Sequence, residues 1–212
     1  MEDIPVGSLG SDTAYFSMMG EDSSRLSFFR AFVARMRKAD PGFGTACYVD
    51  STPLPNDIDD NPFNYLCSHG VRSTSVQMRL VLVLDERSGL PVWYTIIAGN
   101  LLDLSTLEST LGDVAESLDV KISSFVLDAG YASAQVLKYF HSGEGAGKSL
   151  TVRMPPKKGY PYKSLYHRAR PLMANAKHEF IRAGHTYFAK RYETEVLAVP
   201  VHAYVYVDRD NA

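Results

Sequence analysis

"TACYVDSTPLP", Thr45 to Pro55, climbs through an apolar, β-prone run to Asp50 and then breaks into small polar residues and two prolines. "ISSFVLDAGYAS", Ile122 to Ser133, does the same at Asp128. A single acid at the end of a buried strand is most simply a turn or cap residue. Two such acids suggest a shared site, and the elements between them decide whether they can meet.

Upstream of Asp50, residues 1–22 are rich in Gly, Ser and Asp and read as irregular. From Ser23 or Ser24, either a plausible N-cap, "SRLSFFRAFVARMRKA" puts Leu26, Phe29, Phe32, Val33 and Met36 on one helical face. "DPG" at Asp40 stops that helix, and a strand follows from about Thr45 to Asp50. Residues 51–75 read as a polar loop. In "VQMRLVLVLDERSGLPVWYTIIAGN", two β-branched runs flank "ERSG", which predicts an antiparallel hairpin. Asp103 then caps a helix through "LSTLESTLGDVAESL", and "KISSFVL" is a short strand ending at Asp128. A helix from Ser133 to about His141 and a strand "SLTVRMP" complete the pattern.

The order is strand, strand, strand, helix, strand, helix, strand. Tight turns followed by crossover units give a mixed α/β sheet with helices on its faces, in the order of the ribonuclease-H-like fold. There the first and fourth strands are central neighbours, so Asp50 and Asp128 are expected side by side. The expected core is residues 1–154. From 155 to 212 a basic, β-rich region follows, with a short helix from Ser164 and a β-meander after Phe180.

Composition narrows the function classes. With 212 residues, 45% hydrophobic and 22% charged, the chain is an ordinary globular sequence. Its apolar runs are too short to span a bilayer and no signal peptide stands at the start, so the default location is cytoplasmic, with no membrane partner. Cys47 and Cys67 are too few for a disulfide framework or a zinc pattern. The net charge of −2 hides an asymmetry: residues 1–128 hold 9 basic and 18 acidic residues, residues 129–212 hold 13 and 6. Lys148 to Arg191 contains 11 basic residues and one acid, Glu179. A solvated basic face normally mixes signs, so this segment points to a polyanion.

Adjacent carboxylates repel, and a divalent cation relieves the repulsion. Mg²⁺ takes one or two protein carboxylates and fills its other positions with water and phosphate oxygens. Two such ions about 4 Å apart suit cleavage of a phosphodiester. For Asp50 or Asp128 alone the turn reading is the stronger; the shared topology favours the metal reading.

Four short motifs reinforce this. They are Asp-Ser-Thr at Asp50, Gly-Leu-Pro at Gly89, Gly-Asn-x-x-Asp at Gly99 to Asp103 and Asp-x-Gly-Tyr at Asp128. In this order they resemble the DDE transposases of bacterial insertion sequences, in the branch whose catalytic domain carries a β-rich insertion (insertion-sequence family four-like). The resemblance covers about residues 45–150. It implies DNA phosphodiester hydrolysis and strand transfer (cut-and-paste transposition) with Mg²⁺ or Mn²⁺ in a two-metal site. It makes Asp50 and Asp128 the first two catalytic, metal-binding acids. The implied partners are transposon-end and target DNA, with a homodimer in the DNA complex and a nucleoid location in a bacterium.

The family's third acid, a helical Glu within Tyr-x-x-Arg-x-x-x-Glu-x-x-x-x-x-x-Lys, has no register here. Ala169 stands three after Tyr166, and Lys190 three after Tyr187 with no Glu four beyond. The chain ends at "YVYVDRDNA", and the expectation is a transposase truncated before that acid. Two alternatives stay open. One is an inactive remnant that only binds DNA or inhibits an intact partner. The other is a different nuclease of the same fold, its last acid supplied by Glu193 or Glu195.

The expected DNA contacts are Arg72, Lys148, Arg153, Lys157, Lys158, Lys163, Arg168, Arg170, Lys190 and Arg191. Tyr160, Tyr162, Tyr166, Tyr187 and Phe188 interleave with them, either stacking on unpaired bases or packing a small β core. His69 beside Arg72 reads as structural. "PNDIDDN" is no calcium loop, because Pro62 holds the required Gly position and no Glu closes it. "SGEGAGKS" has Ser142 in place of the first Gly and runs from helix into strand, the reverse of a phosphate loop.

Overall fold

The computed structural model describes residues 22–68, 74–101, 104–171 and 175–209. Helix α1 spans Asp22–Ala39 and strand β1 Ala46–Pro55. Strands β2 (Tyr65–Ser68), β3 (Thr74–Asp85) and β4 (Pro91–Ala98) precede helix α2, Leu104–Leu118. Then come β5 (Ser124–Leu127), α3 (Ala134–Ser142), β6 (Ser149–Val152) and α4 (Tyr162–Ala169). Strands β7 (Glu179–Arg182), β8 (His185–Val196) and β9 (Val199–Asp208) follow.

The larger sheet has the order β2-β3-β1-β5-β6, with β4 also on β3. This is the mixed sheet with flanking helices of a ribonuclease-H-like fold, and β1 and β5 are neighbours in it. Strands β7, β8 and β9 form a separate antiparallel sheet. The chain divides into two compact units, residues 1–101 with 105–125 and residues 102–104 with 126–212; the division falls within β5. Among the described residues, no helix is long and apolar enough to cross a membrane.

In the first unit, β1 pairs antiparallel with β3 from Cys47 opposite Asp85 to Pro55 opposite Gln77. The odd-numbered residues of the pair form the core: Cys47, Val49, Val81 and Val83 are each at most 1% exposed. Burial pushes the Cys47 thiol up to about 12, helped by the charges of Asp85 and Glu86, so it is a packing residue and no nucleophile. Helix α1 packs through Phe29, whose ring lies 5.4 Å from that of Trp93 on β4. Arg30 and Arg37 reach from α1 to the end of α2, donating to the carbonyls of Ser117 (2.7 Å) and Asp119 (3.3 Å). Cations there satisfy carbonyls that the helix itself leaves unpaired.

Four expectations need correction. Helix α1 already begins at Asp22, so Ser23 and Ser24 lie inside its first turn, and the Ser27 hydroxyl bonds back to Ser23. Strand β1 does not end at Asp50 but runs on to Pro55, through both prolines. Proline removes a ladder donor, which is tolerated where a strand lacks a neighbour on one side. Four-residue β5 cannot flank all ten residues of β1, so part of β1 is such an edge. The polar stretch after it holds β2 and a turn stitched by asparagines: Asn56 and Asn64 exchange two amide hydrogen bonds of 2.9 Å. The helix expected from Ser164 starts at Tyr162. The predicted cap Asp103 lies outside the described residues, whereas Ser133 caps α3 by accepting the Val136 amide.

Candidate functional site

Three acids lie on or next to the central strands, and their surroundings separate them. Asp85, at the end of β3, is 2% exposed. Its carboxylate accepts the amides of Gly44 and Ser88, both at 2.9 Å, and the Ser88 hydroxyl at 2.8 Å. Burial alone would raise its pKa, but these donors outweigh that cost and hold it below the usual carboxylate range. Asp85 is therefore structural: it fixes the β3–β4 turn and the Gly44 approach to β1.

Asp50 and Asp128 have no such employment. Asp50 stands in mid-strand opposite Leu82, on the exposed face of β1 with Tyr48 and Thr52. Its carboxylate accepts one bond, the amide of Ser51 at 2.8 Å. Ser51 is held in turn by Arg79, whose guanidinium donates to its hydroxyl at 3.2 Å. Asp128 directly follows β5 and is exposed. Its backbone carbonyl starts the turn Ala129–Tyr131 by accepting the Tyr131 amide at 3.0 Å, but its side chain makes no capping bond. Among the described residues neither carboxylate joins an ion pair. Each thus keeps lone pairs open to water, the condition a hard oxygen-seeking cation requires.

The two glycine motifs have backbone explanations. Gly89 adopts φ +68 in the β3–β4 turn, where a side chain would be strained. Gly99 lies so close to β3 that a Cβ would fall 2.2 Å from the carbonyl oxygen of Gln77. Of the family-like residues, then, the glycines shape the scaffold and the exposed acids do not.

No group of three or more His, Cys, Asp or Glu able to hold a metal occurs among the described residues. Glu193 and Glu195 are exposed on β8, opposite His202 and Pro200 of β9, in the separate three-stranded sheet. The acidic stretch Asp57 to Asp60 is exposed turn, organised by Asn56, Asn61 and Asn64.

Nine of the ten basic candidates lie in the second unit, and all but half-buried Lys148 are exposed there; Arg72, with His69, lies outside the described residues. Arg168 of α4 and Lys190 of β8 both sit over the ring of Tyr192, at 4.7 and 5.4 Å. That ring is 7% exposed and packs with Leu165, Ala169, Ala203 and Val207. Phe188 is 1% exposed and belongs to the core, not to a stacking surface. The Tyr160 hydroxyl donates to the carbonyl of Ala132. The rings that do face solvent include two outside the predicted set, Tyr204 and Tyr206 at 59% and 60% exposure. Strict alternation in "VPVHAYVYVD" carried that signal, with Val and Ala on one face and His and Tyr on the other.

The sequence pattern of the transposase DDE domain matches residues 41–191, a stretch that contains both exposed acids. The chain belongs to this family. Membership in the transposase DDE family implies dependence on a divalent metal. No curated protein matches this DDE domain chain in sequence. It is similar to the piggyBac transposase in a synaptic complex with hairpin DNA, at 13% identity and TM-score 0.36, over 74% of this chain and 32% of that one. It is also similar to the Mos1 strand transfer complex (14%, TM-score 0.31, 68% and 46% covered). A third is the Mos1 transposase paired-end complex with left transposon end (9%, TM-score 0.30, 68% and 47% covered). The DDE chain thus spans less than half the length of each of these solved chains.

Proposed function

We propose that this chain is the catalytic core of a cut-and-paste DNA transposase of the insertion-sequence kind, with Asp50 and Asp128 as two of its metal-holding acids. The observation that carries the reading is the contrast with Asp85. The buried acid is fully occupied by the fold, while Asp50 and Asp128 spend almost nothing on it. Membership in the DDE family and the adjacency of β1 and β5 in the strand order support a shared role.

Two open carboxylates fit Mg²⁺ or Mn²⁺, which would neutralise charge on the scissile phosphate and assist the attacking oxygen. The chain's own residues would contribute position. Asp50 is fixed by the β1–β3 ladder and by Ser51, itself tethered to Arg79; Asp128 is fixed by the turn it initiates. The exposed cations of the second unit, Arg168 and Lys190 among them, would hold the DNA backbone. Titration of supercoiled plasmid with Mg²⁺ or Mn²⁺ tests the chemistry. The expected result is conversion to nicked circles that Asp50→Asn and Asp128→Asn both abolish. Nicking that survives both substitutions would overturn the assignment.

A second reading has its own support. Neither Tyr166 nor Tyr187 opens the Tyr-x-x-Arg-x-x-x-Glu spacing of the family's third acid, which favours a chain that binds DNA without cutting it. Plasmid retention in a gel with no nicking at any metal concentration would select that reading.

A further inference from the structure

The three-stranded sheet has two unlike faces. On one, Phe188, Tyr192, Ala203 and Val207 are buried, and Tyr192, Ala203 and Val207 pack with Leu165 and Ala169 of α4. The register puts Phe180, Tyr187, Tyr204, Tyr206, Arg182 and Arg191 together on the other face. No Val, Leu, Ile or Met of the three strands stands there. The rings form a connected group: Phe180 stacks on Tyr187 at 5.5 Å and meets the edge of Tyr206 at 6.2 Å. Tyr206 lies opposite Ala189, which is too small to cover it, and Tyr204 lies opposite Arg191.

We propose that this face is a stacking platform for unpaired DNA bases, with Arg182 and Arg191 meeting the phosphates. Tyr204 and Tyr206, two residues apart on one strand, are spaced by about 6.8 Å, roughly twice the 3.4 Å rise between stacked bases. Rings at that interval meet every second base of a stacked strand, or neighbouring bases of a strand stretched out of its stack, without reading their identity, because every base has a π-face. Arg191 is only loosely engaged elsewhere, 3.9 Å from exposed Glu193, a contact too weak to hold it from a phosphate. Asp208 lies 3.9 Å from His185 and stands directly opposite Tyr187, while Glu193 and Glu195 follow Arg191 on the same face. Tyr204, Tyr206 and Arg191 occupy the stretch between these acids.

The proposal deepens the DNA-binding reading above and is independent of Asp50 and Asp128, so its test is run in EDTA. Anisotropy of labelled oligothymidylate and of a blunt duplex, each of about 15 units, is measured with the full chain. Joint Tyr204→Ala and Tyr206→Ala substitution is expected to weaken single-strand binding about tenfold or more and duplex binding by less than about twofold. Tyr→Phe at both positions, which keeps the rings, is expected to retain single-strand affinity. Unchanged single-strand binding in the alanine variant, or equal loss on both ligands, would overturn the platform. Binding of duplex but not of single strands by the wild type would overturn it while leaving the broader DNA reading intact. A wild-type dimer in sedimentation that the alanine substitutions dissolve would also overturn it, making the face a contact between copies.

Discussion

The carboxylate of Asp85 takes the amide of Gly44 at 2.9 Å, tying the end of β3 to the turn that launches β1. With Ser88 supplying two more donors, the bond settles the protonation of a 2%-exposed acid. Its folded pKa lies below the unfolded value of about 3.9. The stability it contributes is thus present above that unfolded value and is lost as pH falls through the folded one. Asp85→Asn is expected to cost about 2 to 3 kcal/mol at neutral pH. It should also flatten the decline in stability below about pH 4. Urea denaturation at a series of pH values measures both effects.

Gly99 gives a steric prediction. Gly99→Ala sets a methyl group 2.2 Å from the Gln77 backbone oxygen, and Gln77 is 1% exposed and paired with Pro55 of β1 and Tyr65 of β2. Backbone on the inside of a sheet yields little, so a loss of about 2 kcal/mol or more is expected. Gly89→Ala meets nothing within 4 Å and strains only φ, so its cost should be smaller, about 1 kcal/mol. Thermal melting of the two variants side by side ranks them.

The order of elements was legible because hydrophobic patterning and turn chemistry agree along β1, β3, β4 and β5, and Ser133 announced α3 through its cap; the adjacency of β1 and β5 came from the ribonuclease-H-like topology that this order matches. The extent of β1 was not legible. Pro53 and Pro55 read as breakers from local chemistry alone, and only the short reach of β5 reveals why the strand tolerates them. Strand β2 was hidden for a similar reason: its four residues carry no periodicity of their own and exist by pairing with Thr74–Gln77. In the second unit, alternation was recognised but the choice of buried face was not. Phe188 lies on the face of β8 that packs against α4 at Tyr192, a tertiary fact that a strand's own sequence does not contain. Asp50 and Asp128 could be picked out by position; that their carboxylates are idle, unlike that of Asp85, needed the hydrogen bonds.

The proposed function requires Asp50 and Asp128 to hold one metal centre in common. Replacing the native ion with Fe²⁺ and adding ascorbate and peroxide cuts the polypeptide beside whichever residues hold the iron. Cuts are expected at both Asp50 and Asp128, with both sets lost in Asp50→Asn and both lost in Asp128→Asn. Cuts confined to one of the two segments, or substitutions that each silence only their own segment, would contradict it.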